Sequence, residues 1–372
     1  MSRPKAQMRS LARSALRLAC GESRARVIYD ALSAGRELAW NSARRRLYPR
    51  YWRQSWRDRR RGVRTFAIHG EFGDAVLALP FLRGERRRHP GQRIVVVMKG
   101  QRSGVSSRSK RDPLSEAGVR LMTDKGGQSV NFLREFWSRV PFVDEVREGD
   151  VGDVRFRYWQ AQPAFGLQGR TVGPCDYRPF MDQLFTDEDR RQAEAIWTES
   201  GRPIRVAAHL RRSATEIAAL VQELDRSELG RLSAVALLGS RRHESVPDLD
   251  TGRIKVIDLT DNYEKGVSIM PLLQAIRSAD LFLGGRGGFE IFALESGVPA
   301  LTVFDEDGWW EQRRLWPQRL WDENPLGRLV RAAEFDAQRV FAEETAPWLR
   351  PRACPPAEFA GLSCLPVCQQ LP

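Results

Sequence analysis

A short apolar strand runs through glycines into a helix in the stretch Thr65-Phe-Ala-Ile-His-Gly-Glu-Phe-Gly73-Asp74-Ala-Val-Leu-Ala-Leu-Pro80. The pattern recurs in the second half of the chain, in Ala279-Asp-Leu-Phe-Leu-Gly284-Gly-Arg286-Gly287-Gly288-Phe-Glu290. Backbone N–H groups point outward at such a junction, and the helix dipole favours an anion there. Two junctions predict two Rossmann-like halves facing a shared cleft. That arrangement suits an enzyme that holds a phosphorylated donor on one half and an acceptor on the other.

Strand and helix patterns alternate along most of the chain. The expected strands are Thr65–His69, Ile94–Met98, Pro203–His209, Leu232–Leu238, Ile254–Thr260, Asp280–Leu283 and Ala300–Phe304, and Pro141–Val146 is expected to be a turn that leads into a further strand. The expected helices are Asp74–His89, Asn131–Val140, Asp187–Ser200, Ile269–Ser278 and Gly288–Glu295, while residues 151–180 have an irregular pattern. Strands that alternate with helices predict an α/β fold with parallel sheets covered on both faces.

The length of 372 residues accommodates two domains of about 150 residues each, plus further segments. We divide the chain into an N-terminal extension (1–62), two Rossmann-like domains (63–200 and 201–335) and a C-terminal helix and tail (336–372). Residues 1–61 contain 17 Lys or Arg and four Asp or Glu, which accounts for the whole net charge of +13. The remainder is neutral, so the basic pI does not indicate nucleic-acid binding by the globular part.

The N-terminal extension combines arginines with apolar and aromatic residues. Arg9, Arg13 and Arg17 recur every four residues opposite an apolar arc, and further arginines alternate with Trp and Tyr up to Arg61. Such a basic amphipathic pattern is typical of a segment that lies on an anionic membrane surface. Three alternatives stay open, namely a solvated helix with a polar linker, helices that pack on the globular part, and a nucleic-acid arm, of which nucleic acid is the least favoured.

The cysteines and apolar runs bear on localisation. The five cysteines are odd in number, and Cys354, Cys364 and Cys368 cluster near the C-terminus without a histidine. This pattern fits a reducing compartment better than a disulfide framework or a metal site. No apolar run approaches the roughly 20 residues of a membrane span, and the N-terminus has no clean signal-peptide pattern. We therefore expect a cytoplasmic protein, peripheral on the inner face of the cytoplasmic membrane.

Taken in order, several motifs resemble the heptosyltransferase family, glycosyltransferase family nine, which has the GT-B fold of two Rossmann-like domains. They are Gly73-Asp74-Ala-Val-Leu-Ala-Leu-Pro80, Pro141-Phe-Val-Asp-Glu-Val146, Asp258-Leu-Thr260, Ala279-Asp-Leu-Phe-Leu-Gly284 and Gly297-Val-Pro299. The resemblance covers residues 63–310. It implies a glycosyltransferase that moves a sugar, with inversion, from a nucleotide-diphosphate sugar to a hydroxyl. We expect a glycan or lipid-linked acceptor at the membrane face, because such an acceptor would give the basic extension a purpose. Lipopolysaccharide or cell-surface glycan synthesis is the setting that the resemblance implies.

The acceptor hydroxyl needs a base to remove its proton in the transition state. The family's base is an aspartate just after the glycine of the opening loop, which corresponds to Asp74. Asp74 has a second interpretation as a helix cap, because Asp is favoured at that position. His69 is an alternative base, and either His69 or Glu71 is expected near the acceptor. GT-B enzymes use helix dipoles and side chains in place of a metal, so the resemblance implies no metal and no cofactor beyond the donor.

The second glycine junction is expected to hold the donor. Gly287 and Gly288 let the backbone approach the phosphates. The chain departs from the family at Arg286, where an aspartate is usual, and at Ile291, where a histidine is usual. Arg286 is expected to contact the diphosphate as a planar cation. Glu290 has two interpretations, as a contact to a sugar or ribose hydroxyl and as a first-turn glutamate favoured by the helix dipole.

Other donor contacts are expected where strands of the second half end. His209, Arg211 and Arg212 follow one strand, and we expect an arginine of this turn to bind phosphate. Thr260 is expected either to bond a phosphate or to cap a turn. Ribose binding by Glu244 and a donor or acceptor contact by Asp305 are further candidates; Asp305 follows the strand Ala300–Phe304.

Two other functions share this fold. A nucleotide-sugar epimerase has a similar glycine segment and needs no acceptor. A catalytically degenerate GT-B scaffold would bind a glycan or a partner without sugar transfer, and the replaced aspartate and histidine motivate it.

Overall fold

A computed structural model describes residues 49–68, 72–98, 132–148, 152–156, 174–210, 213–239, 249, 251–260, 268–285, 287–304 and 326–349. Two parallel sheets with their helices make up this part of the chain. The α/β class and the two Rossmann-like sheets expected from the sequence are therefore confirmed.

The first sheet contains four strands, β1 (Val63–Ile68), β2 (Arg93–Met98), β3 (Glu145–Glu148) and β4 (Val154–Phe156). They pair in parallel in the order β3-β2-β1-β4. The accompanying helices are α1 (Pro49–Arg60), α2 (Phe72–Arg88), α3 (Phe132–Arg139) and α4 (Pro174–Met181), and α5 (Asp187–Thr198) leads to the second half.

The second sheet contains six parallel strands in the order β10-β9-β8-β5-β6-β7. Their bounds are β5 (Ile204–His209), β6 (Ser233–Leu238), β7 (Lys255–Asp258), β8 (Leu281–Gly285), β9 (Ala300–Phe304) and β10 (Gly327–Arg331). The helices are α6 (Ala214–Arg226), α7 (Met270–Arg277), α8 (Gly288–Glu295), α9 (Ala337–Val340) and α10 (Ala346–Leu349), with a π-turn at Phe341–Thr345. Counted from its own first strand, this sheet has the Rossmann order 3-2-1-4-5-6.

Four elements lie where the sequence predicted none. Strand β4 and helix α4 fall within the segment expected to be irregular; β4 has only three residues, and α4 contains Pro179. Helix α6 and strand β10 were also missed. Strand β10 lies at the sheet edge and is only partly buried, so it lacks the apolar run of the central strands.

Helix α1 packs on the first sheet, as one of the open alternatives for the extension expected. The buried residues Val63, Ala67, Val95 and Val97 share one face of this sheet. Arg147 is the register partner of Val97 and therefore lies on the same face, where its Nη1 is 3.2 Å from the buried Asp58 carboxylate of α1. Because a parallel sheet needs both faces covered, α1 contributes to the fold of the first half. The predicted amphipathic pattern around Arg9–Arg17 lies outside the described residues.

The two halves share one continuous hydrophobic cluster. Helix α5 packs against α7, and the buried Trp197 indole Nε1–H lies within hydrogen-bond distance of the Ala275 carbonyl (3.3 Å) and the Ser278 hydroxyl (3.1 Å). Helix α5 thereby joins the first half of the chain to the second. The division into domains at residues 62, 200 and 335 itself stays a prediction.

Candidate functional site

Each sheet has a switch point, where the order of the strands reverses. It lies between β1 and β4 in the first sheet and between β5 and β8 in the second. Ligands of open α/β sheets bind beyond the carboxyl ends of the strands at such points. In the second sheet these ends are His209 and Gly284, which are register partners. The switch point thus selects the two segments that the sequence marked as donor contacts.

The two glycine junctions meet each other. A Cβ atom placed on Gly288 would lie 2.9 Å from the Gly73 backbone nitrogen, and one placed on Gly73 would lie 2.7 Å from Cδ1 of Ile291. The Phe72 ring reinforces this contact, with its centroid 6.0 Å from that of Phe289. Gly73 and Gly288 both lie in the first turn of a helix, since α2 starts at Phe72 and α8 starts at Gly288. The N-terminal ends of α2 and α8, which carry partial positive charge, are therefore brought together at one place.

Helix α8 is fixed at its beginning by a side chain of its own first turn. Glu290 is fully buried (0% exposed), and its Oε2 accepts a hydrogen bond of 2.9 Å from the Gly287 backbone N–H. An Asp or Glu in this position satisfies one of the N–H groups that a helix start leaves without an intrahelical acceptor. This geometry favours the first-turn interpretation of Glu290 over the ligand-contact interpretation.

The other end of α8 is held by backbone bonds and by a cation. Val298 N–H bonds to the Ala293 carbonyl and Gly297 N–H to the Leu294 carbonyl, while Gly297 has a φ of 85°. This pair of bonds is a Schellman motif, which requires the left-handed conformation that glycine adopts readily. Arg178 of α4 donates to the Leu294 and Glu295 carbonyls, each at 3.2 Å. Arg178 thereby places a positive charge where the helix dipole favours one.

His209 lies beside the second junction. Its side chain is mostly buried (6% exposed), and its ring meets the Phe289 ring edge-on at 5.2 Å. A Cβ atom on Gly287 would touch the same imidazole at 3.6 Å. The structure therefore brings His209, Gly287, Gly288 and Glu290 together around the start of α8.

Asp74 lies in the first turn of α2 and is half-buried. It directly follows Gly73, and so it is adjacent in sequence to the meeting point with α8. Asp74 is the third residue of α2 and does not occupy the N-cap, so the alternative to the base is a first-turn carboxylate favoured by the helix dipole. His69 and Glu71 lie outside the described residues.

Thr260 lies two residues beyond Asp258, the last residue of β7, and away from the switch point because β7 is the edge strand. Its hydroxyl donates to the Asp258 carboxylate, and its N–H donates to the same Oδ1 at 3.0 Å. This local pair of bonds closes a turn, which is compatible with the turn-capping role expected as one alternative for Thr260.

The remaining candidates, Arg211, Arg212, Glu244, Arg286 and Asp305, lie outside the described residues. Four of them come shortly after the last residues of β5, β8 and β9 in sequence, while Glu244 comes six residues after β6 ends. Their roles stay predictions.

Sequence analysis missed three residues that position the site, namely Phe72, Arg178 and Phe289. Phe72 and Phe289 had a signal, because each adjoins a junction glycine. Arg178 had none, since α4 is remote in sequence from the carbonyls to which it donates.

Within the described ranges, no three His, Cys, Asp or Glu side chains come together as they would around a metal ion. Among the same residues, no helix is both long and apolar enough to cross a bilayer. That the protein needs no metal stays a prediction.

No protein-family model matches the chain, and a comparison with curated proteins finds no match. The solved structures to which the fold is similar include glycosyltransferases of the family that the motifs resemble. One is the ADP-heptose lipopolysaccharide heptosyltransferase II of E. coli, at 11% identity, a TM-score of 0.48 and coverage of 77% of this chain and 98% of that one. Another is a family 9 glycosyl transferase from Veillonella parvula, at 12% identity, a TM-score of 0.44 and coverage of 73% of this chain and 86% of that one. A third is E. coli heptosyltransferase WaaC with ADP, at 14% identity, a TM-score of 0.40 and coverage of 77% of this chain and 99% of that one.

Proposed function

We propose that the protein is a glycosyltransferase that moves a sugar from a nucleotide-diphosphate sugar to an acceptor hydroxyl. The observation that carries this proposal is the meeting of two helix N-termini, at Gly73 and Gly288, beyond the switch points of two Rossmann-like sheets. One junction presents a carboxylate, Asp74, and the other presents a glycine turn suited to phosphate. Such a site would hold an acceptor and an anionic donor side by side.

In the reaction that we propose, Asp74 takes the proton of the acceptor hydroxyl while the oxygen of that hydroxyl attacks the anomeric carbon of the donor sugar. The bond from that carbon to the diphosphate breaks at the same time, and the configuration inverts. Charge grows on the leaving diphosphate, so fixed dipoles aimed at it lower the barrier. The N-terminus of α8 supplies such a dipole, and Arg286 is the proposed cation beside it. We propose no metal in this step.

We further propose that the acceptor is a glycan or a lipid-linked glycan at an anionic membrane surface, on the cytoplasmic face. Support comes from the outward side of α1. Trp56 is 54% exposed, with the Arg60 guanidinium 3.7 Å above its ring, and Arg57 and Arg61 are also exposed. The acidic residue of this helix, Asp58, is buried against Arg147. Cations and an indole ring are thus directed outward, a combination that suits lipid headgroups.

The donor proposal is tested by thermal-shift measurements on the full chain with ADP, UDP, GDP, CDP and their sugar conjugates, without metal. A ligand at 100 times its dissociation constant stabilises a protein by about 2.7 kcal/mol. We expect one nucleotide to raise the melting temperature and Arg286→Ala to abolish the shift. No shift from any nucleotide, in a folded sample, would favour the degenerate scaffold. Conversion of donor alone to an epimeric sugar would favour the epimerase.

The membrane proposal is tested by flotation of the full chain with vesicles of anionic and of neutral lipid. We expect binding to anionic vesicles, weakened by Trp56→Ala and by the pair Arg57→Glu and Arg60→Glu. Arg226→Glu, an exposed arginine on α6, is the matched control for charge reversal. Point variants are preferable to removal of residues 1–60, because α1 covers a face of the first sheet. Equal binding to neutral vesicles, or no effect of the α1 variants, would contradict the proposal.

A further inference from the structure

Arginines are concentrated at the amino edge of the first sheet, where its strands begin. The turn at residues 61 and 62 leads from α1 into β1, and the Gly62 carbonyl accepts a hydrogen bond of 2.9 Å from the Arg93 N–H at the start of β2. Helix α2 ends beside the same edge, because Arg86 donates to the Gln92 carbonyl at 2.8 Å. The last turns of α1 and α2 therefore lie next to the first residues of the strands. We define the arginine edge as residues 57–64, 85–93, 144–147 and 153.

The arginine edge carries an excess of positive charge. It contains ten arginines and five carboxylates. Three of these carboxylates, Asp58, Glu85 and Asp153, have side chains that are at most 7% exposed. The Arg59 and Arg93 side chains, by contrast, are 60% and 57% exposed. Negative charge is thus held inside the edge and positive charge outside it, so the surface has a positive potential.

The corresponding edge of the second sheet has no such excess. That edge consists of residues 194–205, 223–231, 252–255 and 280, which precede or begin β5 to β8. It contains six basic and six acidic residues. The carboxylates of Glu194, Glu199 and Glu228 belong to exposed residues there. The positive surface is therefore specific to the first half of the molecule and is not a general property of strand starts.

The arginine edge lies opposite the proposed cleft. The strands of the first sheet are parallel, so their carboxyl ends share the other edge, where the junction at Gly73 meets Gly288 of the second half. Strand β1 has six residues, and a strand of that length spans about 20 Å. The arginine edge is therefore about 20 Å from the proposed base Asp74 and faces away from the second half.

We propose that the protein rests on anionic lipid through the arginine edge, with its cleft directed away from the bilayer. This inference deepens the membrane part of the proposed function and rests on it, because the exposed Trp56 of α1 adjoins the same edge, with Arg60 over its ring. Arginines attract anionic headgroups, and an indole ring suits the level at which those headgroups lie. In this orientation the acceptor is a glycan that extends from the membrane rather than a lipid headgroup.

Flotation of the full chain with vesicles of mixed phosphatidylcholine and phosphatidylglycerol tests the surface without a change in α1. Arg87→Gln combined with Arg93→Gln removes two charges from the part of the edge that α2 and β2 supply. An arginine near an anionic surface contributes about 1 kcal/mol, or about fivefold, so we expect binding to weaken about 25-fold. Arg226→Gln combined with Arg231→Gln, on two exposed arginines of the second edge, is the matched control and should leave binding unchanged.

Hydrogen exchange of the full chain, with and without the same vesicles, tests the orientation. We expect slower exchange in the turn at residues 89–92, which lies within the arginine edge. Exchange at residues 72–75 and 287–289, where two helices begin beside the proposed cleft, should not change. Slower exchange at these helix starts, with none in the turn, would place the cleft against the bilayer and overturn the inference.

The outcomes separate this inference from the proposals on which it rests. Vesicle binding that the α1 variants weaken, but the pair at Arg87 and Arg93 does not, would leave α1 as the membrane contact and overturn the arginine edge alone. Failure of the wild type to bind anionic vesicles would overturn both. Tighter binding to a DNA duplex than to vesicles, weakened by the same pair of substitutions, would assign the edge to nucleic acid instead of lipid. The nucleotide screen tests the donor site separately.

Discussion

Gly288 approaches Gly73 so closely that a single added carbon would not fit between them. A Cβ atom on Gly288 would lie 2.9 Å from the Gly73 backbone nitrogen and 3.0 Å from Cδ1 of Phe72. The opposing atom for a Cβ on Gly73 is the end of the Ile291 side chain, which is able to rotate away. Gly288 is thus the more constrained of the two, since backbone atoms cannot be displaced without moving a helix.

We expect Gly288→Ala to separate the N-terminal ends of α2 and α8. Overpacking of this kind costs about 1–3 kcal/mol of unfolding free energy. Urea unfolding would measure the loss, and hydrogen exchange would locate it in α2 and α8. Gly252→Ala is the control, because nothing lies within 4 Å of a Cβ atom there. An equal loss in both variants would refute the assigned role of the contact.

Asp74→Asn should distinguish the base from the first-turn carboxylate. Asp74 is the third residue of α2, where Asn keeps the size of Asp but not its charge, so α2 should lose at most the dipole interaction of about 0.3–1 kcal/mol. Loss of a general base lowers turnover by a factor of about 10² to 10⁴. Transfer assays, combined with melting temperatures and nucleotide affinities, would show whether turnover alone falls. A variant with undiminished transfer would leave Asp74 with the dipole interaction alone, and His69→Gln would then be the next variant.

A polar contact between the halves is expected to contribute measurable coupling. The Ser268 hydroxyl donates to Glu135 of α3 at 2.7 Å, and Met270 N–H donates to the Ser268 oxygen at 3.1 Å at the start of α7. A double-mutant cycle of Glu135→Ala and Ser268→Ala should give a coupling energy of about 0.5–1.5 kcal/mol. Strict additivity of the two single losses would show that the bond contributes nothing between the halves.

The Asp225 carboxylate anchors the chain before β7. It accepts hydrogen bonds from the backbone N–H groups of Gly252, Arg253 and Ile254, at 3.1, 2.7 and 2.8 Å. Partial burial raises the pKa of this carboxyl, but the three N–H donors and the Arg253 charge outweigh burial and leave the pKa below its usual value. Asp225→Asn should therefore cost about 1–3 kcal/mol of unfolding free energy at neutral pH.

The pH dependence has a definite sign, because the folded pKa of Asp225 is depressed. Its stabilisation is present above the unfolded pKa of about 3.9 and is lost as the pH falls through the folded value. The difference between wild type and Asp225→Asn should be constant from pH 6 to 8 and shrink below about pH 4. Glu199→Gln, on an exposed carboxylate, is the control. A difference that persists unchanged at low pH would contradict the assignment to the charged carboxylate.

Local sequence patterns predicted most of the helices and strands. Helix α8 and strand β9 have the predicted bounds, because an apolar run between glycines leaves few alternatives. Strand β4 and helix α4 were not predicted. Strand β4 has only three residues, too few for a recognisable alternation, and Pro179 within α4 usually indicates the end of a helix. The alternating strands and helices also established the parallel sheets, because a crossover helix is the usual way to join parallel strands.

Only the tertiary structure decided which distant residues meet. The two glycine junctions predict a shared cleft, but the sequence does not indicate that Gly288 touches Gly73, that Arg178 holds the end of α8, or that Asp58 turns inward to Arg147. These contacts depend on how two sheets and their helices pack, which is set by the summed burial of many side chains. Local propensity reaches only a few residues along the chain, whereas packing joins residues that are hundreds of positions apart. The glycine junctions could therefore be predicted from the sequence, whereas the residues that they contact could not.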